Sequence, residues 1–220
     1  MHCKAVIFDM DGLLVDTEQI SYNTWHQVFT EEGLVLDDNI YFQVIGRTLP
    51  DFYSIFRSHY GESLPIETMR NRRIQYANEY IRKHGLPTKP GAIEIVTYLK
   101  NNNIPYAIAS SSGHTRVEQS LAQANIRELF DVIVHGDQIK KGKPDPEIFL
   151  LAANILHVDP KVCVVLEDSK PGIQAASAAG MIPIHIPDMV PPDEITSSLA
   201  YKVCHSLHDA QYVIRGLSIS

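Results

Sequence analysis

Two aspartates, Asp9 and Asp11, stand directly behind the apolar run Ala5-Val6-Ile7-Phe8 and directly ahead of Gly12. A short β-branched and aromatic run reads as a buried strand, and the Gly lets the backbone turn away from it. The pair therefore falls at the carboxyl end of a strand, where open α/β sheets place their ligands. Crowding two like charges there is costly unless a cation or a shared proton offsets them. A lone Asp behind a strand reads as a turn former; an Asp-x-Asp-Gly unit reads as carboxylates that work with a cation. Three more groups follow in chain order. Tyr106-Ala107-Ile108-Ala109 is a strand-like run ending in Ser110-Ser111-Ser112-Gly113. Lys143 is carried by the stiff loop Lys141-Gly142-Lys143-Pro144-Asp145-Pro146, and Val162–Leu166 is a buried-type strand ending in Glu167-Asp168-Ser169.

In this order the segments DMDGLLVDT, IASSSG, KGKPDPEIF and LEDSKPGIQAASAAGM resemble the haloacid dehalogenase-like (HAD) hydrolase superfamily. Within it they look most like the branch of sugar-phosphate phosphatases and β-phosphoglucomutases. The resemblance spans the chain outside a helical insert and the extreme C-terminus. It implies phosphoryl transfer, which needs an in-line nucleophile, positive charge around the equatorial oxygens and proton management at the leaving group. By resemblance Asp9 is the nucleophile and forms an aspartyl-phosphate. A carboxylate attacking a phosphate dianion is self-repulsive, so a divalent cation has to bridge them. The implied cation is Mg²⁺, held by the Asp9 side chain, the Asp11 backbone carbonyl and Asp168; Glu167 is either a ligand or a neighbour of the ligands. Asp11 is the implied general acid and then base, a role that contributes roughly 10²–10⁴-fold. Ser110 and the amides of Ser111–Gly113, which open a helix, would hold the phosphoryl group. Lys143 would offset the charge of Asp9 and the phosphate. Lys140 and Lys141 read as solvated, and Pro171-Gly172 as a tight helix-packing element.

The second aspartate sets the chain apart from the dehalogenase branch, which lacks it because halide needs no proton. The choice between phosphatase and phosphomutase rests on the insert. β-Phosphoglucomutase-like members carry a His ten residues past the second Asp and an Arg three residues past a Gly of the cap. Those positions are Ser21 and Leu49 here, with His26 off register and Arg47 directly after Gly46. The expectation is therefore a phosphatase acting on a small phosphomonoester, a sugar phosphate first, with the mutase as its alternative. Arg47 is the candidate contact for a substrate anion, against a plain surface Arg. A receiver-like phospho-signalling module is the reading from another class, and it lacks an inserted cap.

The chain has 220 residues, a formal charge of -7, 45% hydrophobic and 20% charged residues. That composition is ordinary for a globular protein with a substantial core, and the acidic balance argues against nucleic acid as a partner. The basic cluster Arg70-Asn71-Arg72-Arg73 reads as a solvated face. Three cysteines without metal-ligand spacing point to a reduced, cytoplasmic protein. No signal peptide or membrane span is expected, because the N-terminus enters a strand at once and no apolar run approaches about 18 residues. The ten histidines read as surface or packing residues. A small phosphorylated metabolite is the expected partner, and a monomer or weak homodimer the expected state.

The positioning elements follow from periodicity. Residues 1–15 and 86–220 alternate strands with helices, which predicts a doubly wound parallel sheet, a Rossmann-like α/β core. Its later strands are expected at Pro105–Ala109, Val132–His135, Val162–Leu166 and Ile182–Ile186. Helices are expected at Ala92–Lys100, His114–Ala124, Pro146–His157, Pro171–Ala179 and Leu207–Arg215, and a surface loop at Asp188–Asp193. Residues 16–85 carry helical spacing only (Trp25, Val28, Phe29; Leu49, Phe52, Ile55, Phe56; Ile66 to Lys83), which predicts an inserted helical cap.

Overall fold

The structure is a computed structural model that describes residues 2–45 and 47–218. In chain order the elements are β1 (Ala5–Phe8), α1 (Thr17–Glu31), α2 (Asp38–Val44), α3 (Leu49–Tyr60), α4 (Ile66–His84) and α5 (Ala92–Asn101). They continue as β2 (Tyr106–Ser110), α6 (His114–Gln123), β3 (Ile133–His135), α7 (Glu147–Ile155), β4 (Cys163–Glu167) and α8 (Lys170–Ala178). The last four are β5 (Ile182–His185), α9 (Glu194–Leu199), β6 (Lys202–Val203) and α10 (Leu207–Ser218). Two compact units result, one of Met1–Asp16 with Leu86–Ser220, the other of Thr17–Gly85.

The first unit is built on a six-stranded parallel sheet in the order β3-β2-β1-β4-β5-β6. From β1 the chain winds outward through β2 and β3, then returns to the other side of β1 and winds outward through β4, β5 and β6. It is a doubly wound α/β fold, and its switch point lies between β1 and β4. The two central strands read as continuous apolar runs because both faces of the sheet are covered. Ala5, Ile7, Ala107, Ala109, Cys163 and Val165 pack on one face against Ile148, Phe149, Ala152 and Ala153 of α7 and Ala175 and Ala176 of α8. The alternate residues Val6, Phe8, Ile108, Val164 and Leu166 are also fully buried, as strand period two requires. Glu167, the last residue of β4, is buried as well, at 1% exposure. Such a carboxylate needs a partner.

The second unit consists of α1 to α4. Trp25, Phe29, Phe52, Phe56 and Tyr60 form its aromatic core, with ring centroids 4.7–6.1 Å apart. Thr48 caps α3 by accepting from the Asp51 amide, and Asp37 caps α2 by accepting from the Asn39 amide.

Strand and helix ends fall within three residues of expectation, and where they differ propensity gives way to the register set by neighbouring strands. The loop expected at Asp188–Asp193 stands, but Asp193 then caps the unforeseen α9, which leads into the two-residue β6. α2 was likewise unforeseen. The Arg70–Arg73 face is not simply solvated: Arg72 pairs with Glu31 at 3.3 Å and with Glu32, tying α4 to the end of α1. The cysteines Cys3, Cys163 and Cys204 are all buried and form no disulfide. Among the described residues no helix is long and apolar enough to cross a membrane.

Candidate active site

Sheet register brings the first and last acidic groups together. β1 and β4 pair Phe8 with Leu166, and the Asp9 amide donates to the Leu166 carbonyl at 3.0 Å, so Asp9 emerges level with Glu167. Just beyond, the chain doubles back: the amides of Leu14 and Val15 donate to the Met10 carbonyl, and Gly12 adopts φ +83°. A Cβ at Gly12 would lie 2.5 Å from Asp168 Oδ2, so the turn needs glycine both for its backbone and for this close approach.

Lys143 enters from the loop before α7, behind a cis peptide bond to Pro144. Its Nζ donates to Asp9 Oδ1 and, at 2.8 Å, to Glu167 Oε1. All three side chains are at least nine-tenths buried, and the Lys143 ammonium also lies 4.8 Å from the centre of the Phe149 ring. Glu167 accepts further from the Ser169 amide at 2.5 Å and the Ser169 hydroxyl at 3.2 Å. Asp9, Glu167 and Asp168 each offer an oxygen within 4.8 Å of the others. Burial pushes the Asp9 carboxyl up to about 7, with Glu167 and Asp11 adding to the rise and Lys143 opposing it. Burial, then Glu167 and Asp9, push Asp168 up well above the usual carboxylate range. Burial alone would lower the Lys143 ammonium, but Asp9 and Glu167 outweigh it and hold the lysine charged. Two buried carboxylates and a half-buried third face a single lysine. An all-oxygen donor set of this kind suits a hard divalent cation.

Ser110 ends β2, is 1% exposed, and accepts from the Ser112 amide at 3.1 Å. Ser111 is exposed, with its carbonyl where a Cβ at Gly136 would have to lie. α6 starts at His114, one residue past its N-cap Gly113, so Ser111 to Gly113 form the turn ahead of the helix. Asp11 is held on both oxygens: Ser112 Oγ donates at 3.0 Å and Arg116 Nη2 at 3.2 Å. Lys141 is 75% exposed, as expected of a solvated residue. Arg47 belongs to the helical unit, where its Nε donates to the Gln43 carbonyl at 3.3 Å; Gly46 lies outside the described residues.

Three polar residues of this end of the sheet were not among the sequence candidates, nor was the side-chain role of a fourth, Ser112, whose amide alone had been considered. Ser112 and Arg116 hold Asp11, and only the Ser cluster hinted at the first. His185, read as one of many packing histidines, is 2% exposed and bonds through Nε2 to the Asp168 carbonyl at 3.0 Å. Asp188 accepts from Lys89 at 2.5 Å across 99 residues of sequence, a separation no local pattern reveals.

Strand-end carboxylates and a bridging lysine thus lie at the switch point of a doubly wound sheet. Residues 6–186 match the pattern of the haloacid dehalogenase-like hydrolases. A phosphorylated carbohydrates phosphatase of Thermotoga maritima is 30% identical over 99% of this chain and 93% of its own. A probable pseudouridine-5'-phosphatase of Drosophila melanogaster is 36% identical over 94% and 90%, and a β-phosphoglucomutase of Bacillus subtilis 30% over 96% and 98%. The solved structure of a HAD family hydrolase from Deinococcus radiodurans, with bound phosphate and sodium, superposes with a TM-score of 0.86 at 28% identity, covering 99% of this chain and 97% of that one. The chain belongs to the haloacid dehalogenase-like hydrolase family. As an enzyme it falls with the phosphoric monoester hydrolases of that family.

Proposed function

We propose that the protein is a Mg²⁺-dependent phosphatase that hydrolyses a small phosphomonoester, a sugar phosphate first, through an aspartyl-phosphate on Asp9. The observation that carries this is the Lys143 ammonium bridging Asp9 and Glu167, with Asp168 alongside. Lysine holds the attacking carboxylate in place and opposes the upward shift that burial imposes on it. Asp9 attacks phosphorus, the phosphorus–oxygen bond to the leaving group breaks, and Asp11 gives that oxygen a proton. Asp11 then takes a proton from the water that attacks the aspartyl-phosphate, releasing inorganic phosphate and restoring Asp9. Ser110, together with the Ser111 side of its turn, binds the transferring group; Lys143 offsets its charge. Asp9, the Asp11 carbonyl and Asp168 would hold Mg²⁺, whose chemistry is to neutralise charge between the carboxylate and the phosphate. Glu167 already accepts from Lys143 and Ser169, which supports it as the holder of Lys143 beside the ligands.

In this reading residues 17–85 form a cap that selects the leaving group, with Arg47 as a contact for a substrate anion. The mutase alternative has a named relative, yet the position where mutase-like members carry His is Ser21. Ser21 is buried and accepts from the Tyr41 hydroxyl at 3.0 Å within the helical unit, so it is used in packing. That supports the phosphatase. The partner is then a small phosphorylated metabolite, with neither nucleic acid nor membrane, and the protein a cytoplasmic monomer or weak homodimer.

Phosphate release over a panel of phosphomonoesters tests the reading. Wild type with Mg²⁺ should turn over repeatedly, chelator should stop it, and Asp9→Asn should be inactive with its fold intact. An Asp9→Asn enzyme retaining a tenth of wild-type activity overturns the nucleophile. With β-glucose 1-phosphate and a trace of the 1,6-bisphosphate, glucose 6-phosphate appearing faster than free phosphate overturns the phosphatase in favour of the mutase.

A further inference from the structure

Asp168 has a neighbour that the proposed reaction does not use. Asp188 lies in the loop after β5, and its side chain is 10% exposed. Its Oδ1 accepts from Lys89 Nζ at 2.5 Å, and Lys89 reaches Asp16 Oδ1 at 3.5 Å. Its other oxygen, Oδ2, is buried and has no hydrogen-bond partner. That oxygen faces the same surface of Gly12 as Asp168 does. A Cβ built at Gly12 would lie 3.4 Å from Asp188 Oδ2 and 2.5 Å from Asp168 Oδ2. A buried carboxylate oxygen without a donor is costly, and native folds rarely keep one without a use for it. Among the described residues no donor meets it, and like charge from Asp168 makes the place worse for an anion.

A donor that belongs beside Asp168 resolves this. Mg²⁺ dehydrates reluctantly and keeps several of its waters when carboxylates bind it, and those waters turn their hydrogens outward. We infer that Asp188 is a positioning residue for the cation, its inward Oδ2 accepting from a water bound to Mg²⁺ and its outward Oδ1 fixed by Lys89. The inference rests on the cation reading above. Partners that orient a metal's own ligands and waters alter affinity about 10–100-fold when removed. Lys89 gives the arrangement its direction, because it holds one oxygen outward and leaves the other for the site.

The test is calorimetric titration of Mg²⁺ into the metal-free full-length chain. Asp188→Asn should weaken binding tenfold or more. Asp16→Asn removes the same charge from the Lys89 cluster but no atom facing Gly12 and Asp168, and should stay within threefold of wild type. Lys89→Met is the second variant should Asp188→Asn fold poorly. Losing a positive charge near a cation site would strengthen binding if only long-range charge mattered; loss of positioning weakens it. Asp188→Asn within threefold of wild type, Asp16→Asn falling as far as Asp188→Asn, or tighter binding in Lys89→Met overturns the inference while leaving the cation reading in place. A wild-type chain that takes up no Mg²⁺ overturns both.

Discussion

Replacing Gly172 by Ala sets two effects of opposite sign against each other. Gly172 is in the first turn of α8, and an Ala there gains up to about 1 kcal/mol of helix propensity. Its Cβ, however, would run into Glu167 Oε1, far inside any contact a real Cβ makes. The obstacle cannot swing away at little cost, because the Glu167 side chain is 1% exposed and accepts from Lys143 at 2.8 Å and the Ser169 amide at 2.5 Å. Overpacking a buried site costs about 1–3 kcal/mol, and breaking a buried ion pair about 3–5 kcal/mol. Partial displacement of Glu167 lies between these, so after the helix gain the variant should lose about 2–4 kcal/mol. For a chain of this size that is a fall of roughly 5–15 °C in melting temperature. Thermal unfolding followed by circular dichroism reads it directly. Gly142→Ala is the control, since a Cβ there meets nothing within 4 Å, and should stay within about 0.5 kcal/mol of wild type. A Gly172→Ala protein as stable as wild type would refute the claim that Glu167 is pinned against the helix.

Lys143→Met should abolish phosphate release and destabilise the metal-free fold by about 3–5 kcal/mol, because it leaves buried carboxylates without their cation; denaturant unfolding measures the second effect. Ser112→Ala should lower kcat/KM about tenfold, whereas Arg116→Ala, whose guanidinium is exposed, should cost less than about fivefold. Steady-state kinetics separates them, and an inactive Arg116→Ala would mean that Arg116 touches the substrate. In chelator, stability should decline as pH rises from about 4 to about 7. Asp9 has its folded-state pKa raised to about 7, and Asp168 is raised as well, so the stability both contribute is complete below 3.8 and is lost as they ionise. Melting temperature against pH checks this, and Asp9→Asn should flatten the slope; an unchanged slope in that variant would contradict the burial argument.

The readable part of the site is the part written next to the sheet. β1, β2 and β4 are buried on both faces, so each appears as an apolar run, and Asp9, Ser110, Glu167 and Asp168 are found simply by asking what ends the run. Lys143 was legible for a different reason: Pro144 and Pro146 stiffen the loop that carries it. What stayed hidden depends on contacts made across sequence distance. Asp188 and Lys89 each stand in a loop without periodicity, and only the return of β5 beside β4 brings the first towards Asp168. Arg116 is one of several polar residues on α6, and nothing in its surroundings marks it until the turn after β1 carries Asp11 across. β6 has two residues and α9 six, too short for either period to register. Gly172 stands between the two cases. Its place behind Pro171 announced a tight approach, but the group approached is the carboxylate that holds Lys143. The packing of α8 and the electrostatics at Asp9 are therefore one arrangement: the helix can begin only where Glu167 leaves room, and Glu167 stays in place only while Lys143 and the Ser169 amide hold it.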